Sequence, residues 1–169
     1  MPHKVGDKPF INFTGKRLQV VDNQTGAVQD VEVFVAILGC SQLTYVTTVA
    51  SQKKEDFILA CERALHFYGG VLEVIVPDNL KSAVKKASRY ESMIVLQHLQ
   101  RTTTRMFFLQ GFKPKDKALV EGAVKIIYTP IFTKIDEKVY TDLESLNGDI
   151  LIYLEAHNNT LLSHPSKSL

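Results

Sequence analysis

Short apolar runs bounded by turn residues fill the first third of the chain, Thr44 to Ala50 alternates, and after Ser51 the apolar positions recur with a period near 3.6. Phe10 to Phe13 reads as a first strand, and Leu18 to Asp22 and Val31 to Leu38 as two more, joined across the turn residues Asp22-Asn23-Gln24-Thr25-Gly26. The chain therefore opens with antiparallel strands. Thr44 to Ala50 is rich in β-branched residues and pairs with the strand before it through the turn Gly39-Cys40-Ser41. Ser51 is placed to cap a helix with Phe57, Ile58, Cys61, Ala64, Leu65 and Tyr68 on one face, and Gly69-Gly70 stops that helix. Leu72 to Val76 returns to the sheet as a short apolar strand, ended by Pro77 and followed at once by Asp78.

Two helical stretches follow further on. Lys113 to Lys125 is a basic loop entering a helix, with Glu121 standing among apolar neighbours. Thr141 and Glu144 form a capping-box pattern ahead of Leu143, Leu146, Ile150 and Leu154, which repeat as one face of a helix that packs on the sheet or on a neighbouring subunit. Residues 1–160 are expected to form a single domain, and 161–169, which carry no pattern, a disordered tail.

Composition bounds the function only loosely. The chain has 169 residues, of which 45% are apolar and 22% charged, enough for one packed core and too few for two comfortable ones. A formal charge of +2 implies no nucleic acid by itself, so placement of the basic residues matters more. Lys81, Lys85, Lys86 and Arg89 form one cluster without an acid, and Lys113, Lys115 and Lys117 precede Glu121. Taken singly, each cluster reads as a solvated face. Cys40 and Cys61 have no CxxC pairing and the five histidines are scattered, so free thiols in a reducing, cytoplasmic setting are expected. No signal peptide, membrane span, Walker loop, GxGxxG motif or internal repeat is found, so no membrane association and no nucleotide-binding activity are expected.

Asp78 at the carboxyl end of a strand stands where open α/β sheets hold ligands, which makes it a candidate metal ligand. The spacing alone favours the plainer role of capping the next turn. Glu121 shares a helix face with Lys117 and Lys125, so an i,i+4 ion-pair ladder explains it equally simply.

Taken together, the two stretches resemble the catalytic core of IstA-type transposases, bacterial insertion-sequence enzymes of the DDE class. The matching words are Phe10-Ile11-Asn12-Phe13-Thr14-Gly15, Gly69-Gly70, Val76-Pro77-Asp78-Asn79-Leu80-Lys81-Ser82-Ala83-Val84, Ser88-Arg89-Tyr90-Glu91, the stretch Lys113 to Lys125, and His157-Asn158-Asn159. The resemblance covers nearly the whole chain. It implies an α/β fold of RNase H-like type, with antiparallel opening strands and then a parallel strand in a mixed sheet flanked by helices. It also implies DNA strand transfer with two divalent ions, magnesium or manganese, held by three carboxylates. Asp78 and Glu121 match the second and third acids. The first should stand in a word like Phe-Val-Asp-Phe, and this chain has Asn12 there.

An amide offers one neutral carbonyl oxygen where a carboxylate offers charge, so metal binding is expected to be weakened and strand transfer largely lost. The resemblance also fails over Met93 to Gln110, where the family has a helix and then a strand. Shifting the reading frame by two bases across that window permits, at all but one position, the text DCFATFAEHYYTNVLPAR, which looks like the missing pieces, so a short compensated frameshift is expected there. A DNA read with no such second frame would reject it. Pro130 falls where the Glu121 helix should continue and is expected to kink it. No helix-turn-helix region precedes the core, so only sequence-independent DNA contact is expected, through Lys81, Lys85, Lys113, Lys115 and Lys117. The expected activity is that of a weak or inactive transposase core, a pseudoenzyme. The alternative is a non-catalytic nucleic-acid-binding or transposase-interaction module that self-associates or engages an ATPase helper subunit.

Overall fold

The computed structural model describes residues 9–39, 41–69, 74–77, 107–108 and 114–163. Its six described strands are β1 (Pro9–Phe13), β2 (Leu18–Val21), β3 (Val28–Leu38), β4 (Thr44–Val49), β5 (Val74–Pro77) and β6 (Phe107–Phe108). Helix α1 (Lys54–Phe67) lies between β4 and β5. After β6 come α2 (Pro114–Ile127), a π-helical turn (Tyr128–Phe132), α3 (Thr133–Asp136) and α4 (Leu143–Ser163).

The strands form one mixed sheet. The eleven-residue β3 is its spine. Along one edge of β3 lie β1, in antiparallel register Asn12↔Val35, and β2, in register Val20↔Gln29; β4 runs antiparallel along the other edge, with Val46 opposite Val35. β5 then adds parallel to β1, with Phe10 opposite Val76 and Ile11 opposite Pro77, and β6 adds parallel to β5. An antiparallel opening is the order that the sequence pattern predicts, and the parallel strand after it is what the family resemblance implies.

Local chemistry explains the joints. The backbone breaks between β1 and β2 where the Thr14 hydroxyl donates to the Lys16 carbonyl at 2.8 Å, while the Thr14 N–H still reaches Val33 O at 2.8 Å. At the next turn the Asp22 carboxylate accepts the N–H groups of Gln24 and Thr25, and Gly26 supplies the positive φ of 71° that closes it. Gly69, at φ 85°, ends α1 with its N–H on His66 O.

Two predicted caps are corrected. Ser51 does not cap α1: the N-cap is Lys53, which makes no side-chain cap bond, and the Ser51 hydroxyl instead takes the Lys53 N–H and bonds the Asp56 carboxylate. At α4 the cap is Asp142, not Thr141 with Glu144; its carboxylate accepts the Ser145 N–H at 2.6 Å and the Ser145 hydroxyl at 2.9 Å. Both hydrogen bonds hold the Asp142 carboxyl below its ordinary pKa. The same helix runs to Ser163, three residues into the stretch read as patternless, and the remaining six lie outside the described residues.

The core is where the periodicity puts it. Val31, Val33, Phe34, Val35, Ala36 and Leu38 of β3 are buried with Phe57, Ala60, Cys61, Ala64, Leu65 and Tyr68 of α1. Phe13, Phe34 and Phe57 form a ring cluster with centroid separations from 5.6 to 6.4 Å. Leu146, Ile150 and Leu154 of α4 are fully buried, and α4 packs along β4. Burying each such side chain is worth roughly 1.5–3 kcal/mol, more than a single cap provides, so a displaced cap leaves the helix in place.

The α-helix bearing Glu121 stops at Ile127, three residues before Pro130. Without an N–H the proline cannot continue the α-helical bonding, and the chain passes through the π turn and resumes as α3, with Ile131, Phe132 and Ile135 all buried. Of the window Met93 to Gln110, the described part is Phe107–Phe108, and it is a strand; the rest lies outside the described residues.

Candidate functional site

Strand β1 is held on both sides, by β3 and by β5, so its middle residue Asn12 has a fixed place in the sheet. Side chains alternate along a strand, which sends Asn12 to the face opposite Ile11 and the Phe13 ring. Asn12 is half-buried, whereas Ile11 is 2% exposed. Because Ile11 pairs with Pro77, the parallel neighbour of β1 ends one residue before Asp78. Asp78 itself lies outside the described residues, as do Lys81, Lys85 and Lys113.

Helix α2 packs against β1 and β3. Val120 is buried and Val124 packs partly into the core, which turns Lys117, Glu121 and Lys125 outward as an exposed row. The ion-pair ladder that this spacing allows is not formed: none of the ion pairs among the described residues joins Glu121 to Lys117 or Lys125. Lys115 lies on the same helix. The structure thus brings together the strand bearing Asn12, the strand leading to Asp78 and the helix bearing Glu121. Among the described residues no group of three or more His, Cys, Asp or Glu side chains is arranged to hold a metal ion.

The donor chemistry can be tested against the divalent ions that the family words imply. Hard cations bind through carboxylate charge, and the β1 position supplies only an amide oxygen. Asn12 therefore does not fit the role of first metal ligand.

Several other titratable groups among the described residues have structural explanations. The Cys61 thiol is fully buried and burial pushes its pKa up, so it is held as a neutral thiol. His66 is exposed in the last turn of α1, where a histidine complements the helix dipole. Lys138 donates to Asp149 Oδ2 at 2.8 Å, and the Tyr140 hydroxyl donates to the same oxygen at 2.8 Å. Partial burial, with that hydrogen bond, pushes the Tyr140 phenol up to about 12, and the Lys138 hydrogen bond leads in holding Asp149 below its ordinary value. No helix of the described residues is long and apolar enough to cross a membrane.

Two residues of α4 have roles that the sequence words did not disclose. Asn158, inside the word His157-Asn158-Asn159, is buried, with its amide on the backbone of Thr44, and Asn147 makes the same pair of bonds to Thr48. Their spacing, one turn after Leu143 and Leu154, puts them beside the apolar face, and only the facing strand reveals the pairing.

No family model matches the chain. Solved structures define its class. The catalytic core domain of BIV integrase superimposes with a TM-score of 0.57 at 12% identity, covering 89% of this chain and 82% of that one. The HTLV-2 integrase catalytic core domain, solved in complex with magnesium, gives 0.56 at 13% identity, covering 86% and 83%. The fold is that of the RNase H-like integrase catalytic cores.

Sequence relatives narrow the class. A Sinorhizobium fredii protein inferred to be a transposase, y4bL/y4kJ/y4tB, is 36% identical over 169 residues, 98% of this chain and 33% of that one. An inferred transposase of the insertion sequence IS1162 from Pseudomonas fluorescens is 33% identical over 159 residues, 92% of this chain and 28% of that one. The chain belongs to this insertion-sequence transposase family and spans about a third of the length of the relatives it matches.

Proposed function

We propose that the chain is a DDE-type transposase core whose metal site is crippled at its first ligand. The observation that carries this reading is the convergence on β1: Asn12 lies on it, the strand before Asp78 pairs with it, and the Glu121 helix packs on it. Bound magnesium or manganese supplies such cores with activation of the attacking oxygen and stabilisation of the leaving one. Here Asp78 and Glu121 remain to hold an ion, and Asn12 contributes no charge. Binding is weak and strand transfer is lost.

Lys81, Lys85, Lys113, Lys115 and Lys117 lie around these acids in sequence and contact DNA phosphates without reading bases. A relation to magnesium is supported by the HTLV-2 core, solved with that ion.

Calorimetric titration of manganese into the wild-type protein and its Asn12→Asp variant tests the reading. Heat of binding in the variant and not in the wild type is expected. Equal binding by both, with equal metal-dependent DNA cleavage, overturns it; absence of binding by both shows that the Asp78 and Glu121 positions do not form a site.

A second reading is a non-catalytic module that docks on a second copy of the chain or on an ATPase helper. The adjacent Leu151 and Ile152 of α4 favour the second copy, being 47% and 63% exposed.

A further inference from the structure

Strand β4 has β3 on one side and, among the described strands, none on the other. The Leu38 N–H bonds Leu43 O, so the ladder alternation sets Leu43, Tyr45 and Thr47 toward β3 and leaves the backbone groups of Thr44, Val46 and Thr48 facing away. An open edge of this kind invites pairing with a strand of another molecule. Here it is occupied. The Asn158 carboxamide accepts the Thr44 N–H at 3.2 Å and donates to Thr44 O at 2.9 Å. The Asn147 carboxamide accepts the Thr48 N–H at 2.7 Å, donates to Thr48 O at 3.1 Å, and also accepts the Thr48 hydroxyl at 2.8 Å.

Each side chain reproduces the donor and acceptor of one peptide group in a neighbouring strand. The two lie about three helical turns apart, roughly 16 Å, close to the roughly 13 Å that separates Thr44 from Thr48 along β4. Between them the edge at Val46 borders a groove of about 560 Å³ lined by Tyr45, Arg63, Leu143, Asn147 and Leu151 among others. The apolar face of α4 supplies adhesion but does not fix position, because Leu143, Leu146, Ile150 and Leu154 recur at helical spacing. The paired amides tolerate only one placement.

We infer that Asn147 and Asn158 stand in for a missing strand: they lock α4 in register on β4 and close that edge against strand addition by a second copy of this chain.

Hydrogen exchange on the full chain, wild type against the Asn147→Leu, Asn158→Leu double variant, tests this, with sedimentation of the same samples. In the double variant the Thr44 and Thr48 amides are expected to exchange about tenfold or more faster, with β3 protection retained and concentration-dependent association appearing. Unchanged exchange at both threonines overturns the inference, and so does fast exchange in a variant that stays monomeric at every concentration. If the double variant does not fold, the single changes Asn147→Ala and Asn158→Ala decide: each should speed exchange at its own threonine, and equal effects at both refute the pairing.

Discussion

Asn12 and an aspartate differ by one heavy atom, an amide nitrogen in place of an oxygen, and that exchange removes a full charge from the middle of β1. It leaves the strand untouched, because the register Asn12↔Val35 uses only backbone groups. Fold and chemistry therefore separate at this residue: an amide and a carboxylate fit the same strand and differ only in what they can bind. Gly69 shows the opposite case, where one residue matters to the backbone alone. A Cβ there meets nothing within 4 Å, but φ is 85°, so Gly69→Ala should cost about 1 kcal/mol of unfolding free energy in urea titrations and Gly69→Asn less. The glycine was readable as a helix stop for that reason. Caps were read less well: Thr141 and Asp142 are adjacent and both have capping side chains, and only geometry shows that Asp142 holds the Ser145 N–H.

Helix α4 shows what periodicity can and cannot tell. Leu146, Ile150 and Leu154 announce a buried face, and they are buried. Asn147 and Asn158 fall on the flank of that same face, one turn after Leu143 and Leu154, yet nothing in the period shows that they bond the edge of β4. Beside Asn158, the half-buried His157 has its pKa lowered from 6.5 by burial. A histidine kept neutral in the folded chain binds its proton more readily when unfolded. Stability from this group is therefore complete above pH 6.5 and declines as pH falls from there toward the lowered folded value. Urea midpoints measured at pH 7.5 and 5 should differ more for the wild type than for His157→Gln.

At the scale of the whole molecule, the mixed sheet follows from patterns that are local in sequence, namely β-branched runs and the turns at Gly26 and Gly69. The site is less legible, because it depends on β1, β5 and α2 meeting, which no single stretch encodes. Sequence-independent phosphate contact and self-association, the two proposed behaviours, diverge under salt. Binding of a generic DNA duplex should fall steeply between 50 and 200 mM salt if the lysines act together. Salt-insensitive dimers in sedimentation, with no DNA retention, would instead favour the interaction module. The π turn at Tyr128–Phe132 bears on the same architecture through phase. Each residue of a helix turns the chain by about 100°, so the turn sets the angle between the outward Glu121 row and the inward Ile135. Asp136, one step further, is bonded to Lys16 at the β1–β2 bend, so the far end of this run is moored to the sheet. Deleting Thr129 would leave the two ends in conflict: either Ile135 leaves the core or the buried face of α2 at Val120 does. A lowered melting temperature in that deletion, unmatched by Thr129→Ala, would show that the turn acts as the spacer keeping the two faces in step.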